Sequence, residues 1–339
     1  MIEIPCIDIG AFRAGDPDGR VARAWGRAFE EVGFATIVGH GIPESVIERA
    51  YDTVLRFFDL PLAEKLRWDA GQRVKTRGYL PVGIESVART RGDDRPADLC
   101  EALVFYGVNL DIAAGLESTH SAITGNLYPS EPAGLAEAIR TYFLAVYRLG
   151  GLLMRISARA LDLPERYFEP YFDRRRGTLR AVHYPDQPDE PVPGQLRYGA
   201  HSDYGGLTIL RQDAAPGGLQ VFAKSGEWID VHPVPGSFVI NVGDLMARWT
   251  NDRWCSTLHR VVNPPRDATG STRRLSLVLF TGPNDDAVVS CLPTCTDERR
   301  PAKYPPVRAA DYIAEKLSTS MPKALAGSAP TRADALSDR

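Results

Sequence analysis

From about residue 178 onward the chain breaks into short β-rich runs at regular intervals, separated by Pro and Gly: LRAVHY (179–184), GLTILR (206–211), GLQVFA (218–223), EWIDV (227–231), SFVINV (237–242), TLHRVV (257–262), RLSLVLF (274–280) and AVVSCL (287–292). About eight strands at this spacing predict an all-β barrel or a double-sheet jelly roll. The earlier part has a different period. Val21, Trp25, Phe29 and Val32 recur at helical spacing over 19–33, with Asp18 placed to cap the first turn, and Ile47, Tyr51, Val54 and Phe58 do so over 44–61. Between them FATIVGHGIP reads as a short strand running into turn residues. A longer helix is predicted from Pro132 to about Leu163, its buried face marked by Ile139, Tyr142, Phe143, Val146, Leu149, Leu153, Ile156 and Ala160, and it is expected to support a sheet. No repeat or low-complexity linker divides these textures, and the proline-rich stretch 185–196 is short enough for a loop. The expected organisation is therefore one domain, mainly β with flanking helices. It has a helix-rich N-terminal region (1–178), a β core (179–295), a C-terminal segment (296–320) and a flexible tail (321–339).

Composition narrows the class of function. A hydrophobic content of 44% over 339 residues is ample for a large core, and 40 Lys plus Arg against 43 Asp plus Glu gives a net charge of −3, with no basic footprint for nucleic acid or an anionic membrane. A small-molecule substrate is expected, acted on by a monomer or weak homo-oligomer. The five cysteines (Cys6, Cys100, Cys255, Cys291, Cys295) are odd in number and form no CxxC pair, so they read as reduced thiols rather than disulfides or a zinc knuckle. An acidic, proline-bearing start and the absence of a long apolar run point to the cytoplasm.

The chemistry lies in GAHSDYGGLTIL (199–210). His201 and Asp203 are two residues apart, so on a strand they project to the same side while Ser202 projects to the other. If the strands close on themselves, His259 on a late strand can return to face them. Two imidazoles and one carboxylate form the facial triad that holds iron(II) and leaves coordination positions open. Arg274 and Ser276, again two apart on RLSLVLF, would set a guanidinium fork and a hydroxyl on one side of a further strand, a pairing suited to gripping a carboxylate.

In these residues the chain resembles the isopenicillin N synthase-like branch of the iron(II)- and 2-oxoglutarate-dependent oxygenases. The segments IPCIDI, GFATIVGHGIP, RGYLPVGIES, DLCEALVFYG, GGLQVFAKSGEWIDVHPVPGSFVINVGD and RWTNDRWCSTLHRVVNP extend the resemblance, in the family's order, over most of the sequence. It implies a double-stranded β-helix core with iron(II) at His201, Asp203 and His259. It also implies 2-oxoglutarate held by Arg274, Ser276 and Tyr184, and O2 as the oxidant. The reaction implied is hydroxylation, desaturation or cyclisation of a small, specialised metabolite, with succinate and CO2 as co-products. Where many plant relatives carry Asn-Tyr-Tyr-Pro, this chain has Val182-His183-Tyr184-Pro185, so an amide near the co-substrate is missing. His183, on the opposite face from its neighbours, is expected to be structural.

For the substrate wall the first expectations are Arg197, Tyr198 and Phe280. Trp249 and Trp254 are expected to pack, and Arg174-Arg175-Arg176 to form a wet surface outside the site. Two alternatives stand beside the oxygenase reading. One is an isopenicillin N synthase-like oxidase or cyclase, which uses no 2-oxo acid and would spend the Arg-x-Ser pair on its substrate. The other is a non-catalytic jelly-roll protein holding a metal such as zinc in the same ligands.

Overall fold

Alternation along the central strands splits their side chains between two environments, and this split builds the molecule. On the strand at Arg274–Thr281, Leu275, Leu277 and Leu279 are buried in the main core, while Arg274, Ser276, Val278 and Phe280 face an internal cavity. The strand at Gly177–Tyr184 repeats the pattern, with Leu179 and Ala181 in the core and Arg180, Val182 and Tyr184 on the cavity side.

The computed structural model describes residues 3–69, 77–93, 95–111, 125–187 and 189–320. The strands are β1 (Cys6–Asp8), β2 (Phe34–Val38), β3 (Gly78–Leu80), β4 (Glu101–Tyr106), β5 (Gly177–Tyr184), β6 (Tyr198–His201), β7 (Leu207–Gln212), β8 (Gly218–Phe222), β9 (Trp228–Asp230), β10 (Phe238–Val242), β11 (His259–Val262), β12 (Arg274–Thr281), β13 (Val288–Val289) and β14 (Val307–Arg308). The helices are α1 (Gly10–Arg13), α2 (Arg20–Glu31), α3 (Glu44–Phe58), α4 (Leu62–Leu66), α5 (Leu135–Ala160), α6 (Asp244–Trp249) and α7 (Ala309–Ser320).

An eight-stranded sheet runs in the order β1-β2-β10-β7-β12-β5-β4-β3, and a four-stranded sheet in the order β6-β11-β8-β9. Side chains of both sheets line one cavity, so the two stand face to face as a jelly roll. The outer face of the large sheet is covered by α2, α3 and α5. Helix α5, at 26 residues about 39 Å long, buries Ile139, Tyr142, Phe143, Val146, Leu153 and Ile156 against β7 and β12. Trp25 and Phe29 of α2 are fully buried, and each such side chain contributes roughly 1.5–3 kcal/mol. Trp249 and Trp254 lie in the same core, as expected.

Three features depart from the sequence reading. The N-terminal third is not simply helical: β1 and β2 complete one edge of the large sheet and β3 and β4 the other. Asp18 does not cap α2; the carboxylate of Asp16 accepts the Val21 and Ala22 N–H groups instead, and Gly19 takes the left-handed conformation at the helix start. Strand β6 ends at His201, so Asp203 sits in the turn that follows rather than on the strand. The tail beyond 321, expected to be flexible, lies outside the described residues. No helix among the described residues is long and apolar enough to cross a membrane.

Candidate metal centre and carboxylate site

Strand β11 pairs antiparallel with β6, and the register sets His259 directly opposite His201. Their ring centroids are 4.2 Å apart. Asp203 reaches the pair from the β6–β7 turn: its Oδ1 is 3.6 Å from His201 Nε2 and 3.7 Å from His259 Nε2. The turn is fastened from below by α6, whose Asp244 and Leu245 N–H groups donate to the carbonyls of Asp203 and Tyr204. Gly205 is required there, because a Cβ would collide with the Thr281 carbonyl oxygen.

Each ligand is oriented by its unused atom. His201 Nδ1 lies 2.9 Å from the Gly199 carbonyl and His259 Nδ1 lies 3.1 Å from that of Thr257. Carbonyls only accept, so both Nδ1 atoms carry the proton and both Nε2 lone pairs point at the gap. Asp203 Oδ2 accepts from Thr208 Oγ1 (2.5 Å) and Asn241 Nδ2 (2.7 Å), leaving Oδ1 for the same gap.

The three side chains are buried, and their ligand atoms all fall within 4.8 Å of one another. Burial lowers the His259 imidazole to about 4, helped by the nearby His201. Burial alone would raise the Asp203 carboxyl, but the two histidines and Asn241 outweigh it and hold it well below the usual range. The Nε2 atoms of the two histidines and the Asp203 carboxylate therefore face one gap, and the donor set fits a single iron(II) with positions to spare.

The cavity continues from the triad to a second polar end. In the β5–β12 register Arg274 lies opposite Tyr184 and Ser276 opposite Val182, and all four line the cavity. Arg274 is 2% exposed, with Nη2 donating to Gln212 Oε1 at 2.5 Å and Nη1 to the Asp213 and Ala215 carbonyls at 3.3 Å. Its Nε is buried without a partner. A buried cation with spare donors, beside a serine, fits the far carboxylate of a diacid. Val182, at the position of the missing amide, offers only an apolar surface.

Tyr198 and Phe280 line the cavity, and Tyr198 meets the His201 ring edge-on at 5.0 Å. Arg197 does not join them in the wall. It is fully buried, donating to the carbonyls of Pro216 (2.7 Å) and Thr272, with its guanidinium over the Tyr184 ring. It lies just before β6, and these contacts make it a brace behind the Tyr184 side of the cavity. His183 is structural: Arg273 Nε donates to its Nε2, which leaves the Nδ1 proton for Glu101 Oε1 at 2.8 Å. Arg174, Arg175 and Arg176 pair with Asp286, Asp111 and Asp285 on the surface, away from the cavity.

Two residues of the cavity system had no distinguishing signal in the sequence. Arg180 lines the cavity, and Glu85, from the loop after β3, pairs with it. They are 95 positions apart, and only an expectation of which face of β5 looks inward could have singled out Arg180.

A jelly roll with an iron-type facial triad and a buried arginine at the far end of its cavity defines a mononuclear metal oxygenase that takes a carboxylate-bearing co-substrate. Comparison with known proteins gives the family. Residues 176–283 match the 2OG-Fe(II) oxygenase superfamily, and residues 4–117 match the family described as non-haem dioxygenase in morphine synthesis N-terminal. The 2-oxoglutarate-Fe(II) type oxidoreductase hxnY of Emericella nidulans is 33% identical over 91% of this chain and 88% of its own length. A homoarginine-6-hydroxylase of Oryza sativa subsp. japonica is 33% identical over 86% of this chain and 87% of its own. The crystal structure of a full-length Neurospora crassa protein in complex with alpha-KG superposes with a TM-score of 0.82 at 30% identity, covering 94% of this chain and 96% of that one; the same protein has also been crystallised with alpha-KG and thymine. The chain belongs to the 2OG-Fe(II) oxygenase superfamily. It is an oxygenase of small metabolites that uses iron(II) and 2-oxoglutarate, and of the three readings open to the sequence this is the one the family selects.

Proposed function

We propose that His201, Asp203 and His259 hold the iron, that Arg274, Ser276 and Tyr184 seat 2-oxoglutarate, and that the outcome is hydroxylation of an aliphatic or ring C–H bond. The observation that carries this reading is the convergence of three separately braced ligand atoms on one gap, with a buried, partly unsatisfied arginine further along the same cavity. Iron(II) and 2-oxoglutarate, when bound, supply the oxidising power: one atom of O2 enters the substrate, the other enters succinate, and CO2 leaves.

The chain's own residues do the positioning. Thr208 and Asn241 hold one oxygen of Asp203 so that the other faces the metal. The Arg274 guanidinium receives the far carboxylate of the diacid, whose length sets how its keto end meets the triad. Leu210, Val182, Val261 and Val278 keep the space between the two ends apolar, which excludes water from the reacting atoms. Tyr198 and Phe280 bound the substrate side.

The whole chain, 1–339, is read as one oxygenase unit, because the large sheet joins β1–β4 of the N-terminal region to β5, β7, β10 and β12 of the β core. The near-neutral charge and the five free cysteines support a cytoplasmic monomer or weak homo-oligomer. The test is an anaerobic titration of the iron-loaded protein with 2-oxoglutarate. A visible charge-transfer band that saturates at one equivalent, and succinate formation that needs iron(II), are expected. Oxygen uptake with substrate but without 2-oxoglutarate would refute the assignment.

A further inference from the structure

Arg180 is the one charged residue in the described cavity wall that neither the metal triad nor the Arg274 end accounts for. Its partner across the sheet is Val278, four residues along β12 from Arg274, or about 13 Å at the rise of an extended strand. A five-carbon diacid seated on Arg274 is too short to reach it. Arg180 therefore belongs to the other occupant of the cavity. Around it stand Tyr198, whose hydroxyl is 3.4 Å from Nη1, and the side chains of Val182, Val278 and Phe280.

The charge on Arg180 is already balanced. Nη2 is ion-paired with Glu85, and the side chains are only 16% and 29% exposed. Glu85 is held in place: its carbonyl accepts the Asp98 N–H at 2.8 Å, and the Asp98 carboxylate in turn accepts the N–H groups of Val87 (2.8 Å) and Gly199 (2.9 Å). An incoming carboxylate would have to lie beside a fixed carboxylate in a poorly hydrated space, which disfavours it. A neutral carbonyl meets no such repulsion and can accept from the guanidinium while Glu85 stays paired.

We infer that the Arg180–Glu85 pair, with Tyr198 and Phe280, is the primary-substrate subsite and that it selects an uncharged, compact apolar or aromatic compound bearing an amide-type carbonyl, such as a lactam or cyclic imide. This rests on the oxygenase reading above and adds the substrate class to it. The pair acts as a filter: its net neutrality rejects carboxylates and amino acids, and its remaining donors orient the carbonyl so that a fixed C–H bond lies toward the metal.

The test uses full-length protein loaded with manganese(II) and 2-oxoglutarate, with 2-piperidone, cyclohexanecarboxylate and L-homoarginine as probes in ligand-observed NMR titrations. Wild type is expected to bind the lactam at least about tenfold more tightly than either charged probe, the size of one charged hydrogen bond. Arg180→Met should lose that tenfold. Glu85→Gln, which keeps the shape of the pair but unmasks the cation, should reverse the preference toward cyclohexanecarboxylate, and it carries the test alone if Arg180→Met does not fold.

The inference is overturned if wild type prefers a charged probe, if it binds no lactam at millimolar concentration, or if Glu85→Gln leaves the preference unchanged. Calorimetric binding of 2-oxoglutarate to the same protein loaded with manganese(II) alone separates the two levels. Protein that takes 2-oxoglutarate yet ignores the lactam defeats this inference alone; protein that takes neither defeats the reading beneath it.

Discussion

Glu101 on β4 is 4% exposed and sits at the centre of a buried polar network. Its Oε2 accepts from Lys65 Nζ (2.8 Å) and Tyr79 Oη (2.5 Å), and its Oε1 from His183 Nδ1 (2.8 Å). The network ties α4, β3 and β5 to β4, one residue from Tyr184 in the cavity wall. Glu101→Gln keeps the volume but removes the charge. Lys65, with its side chain 10% exposed, is then left with the Phe58 carbonyl at 3.1 Å and no anion. Breaking one side of a buried ion pair costs about 3–5 kcal/mol, and because the amide oxygen still accepts one bond the lower end, about 3 kcal/mol, is expected. At about 2–4 °C per kcal/mol, the melting temperature should fall by roughly 6–12 °C at pH 7.

The loss should depend on pH with a definite sign. Burial would raise the Glu101 carboxyl, but the bonds from His183, Lys65 and Tyr79 outweigh it and lower it from the ordinary value of 4.5. A depressed acid contributes stability above its unfolded value and loses it as pH falls toward the folded one. The gap between wild type and Glu101→Gln should therefore stay constant from pH 8 to about 5.5 and close below about 4.5. Thermal melts followed by far-ultraviolet circular dichroism across this range give the answer. A variant melting within about 2 °C of wild type at pH 7, where 1 kcal/mol is already worth that much, would refute the reasoning, as would a gap that ignores pH.

Arg274→Met removes a charged fork worth about 1.5–3 kcal/mol per bond, so the dissociation constant for 2-oxoglutarate, measured by calorimetry on manganese-loaded protein, should rise by roughly a hundredfold or more, while Arg274→Lys should lose about tenfold. Asn241→Leu frees one side of Asp203 Oδ2; metal affinity measured by competition with a chromogenic chelator should fall about 10–100-fold with little change in melting temperature. Gly205→Ala drives a Cβ into the Thr281 carbonyl oxygen and displaces the turn that carries Asp203. It should cost about 1–3 kcal/mol in stability and weaken metal binding together, read from the same two assays. If Gly205→Ala binds metal as wild type does, the turn does not position Asp203.

Much of the fold was written in local pattern. Helix α5 is legible because Ile139, Tyr142, Phe143, Val146, Leu149 and Leu153 keep a 3.6-residue period, and β12 because Leu275, Leu277 and Leu279 alternate with Arg274, Ser276 and Val278. Strand β4, EALVFY, carries no such signal: Glu101 through Phe105 are all buried, so the inside–outside alternation vanishes. The spacing of His201 and Asp203 places both on one face of a strand, whereas the strand ends between them and the carboxylate arrives by a turn held by α6.

The order of residues along the chain sets the inventory and its periodicity: which residues can ligate a metal or grip a carboxylate, and which faces of the long elements are apolar. These are properties of neighbours along the chain. The tertiary structure alone decided the partnerships across it. Arg197 and Arg180 are both arginines of the β core; one braces two carbonyls behind the cavity and the other faces into it beside Glu85. Lys65, Glu101 and His183 form one buried network only because α4, β4 and β5 are brought together. A buried charge is tolerated only where a partner desolvates with it, and such a partner can stand anywhere in the sequence, so its identity becomes fixed when the sheets close.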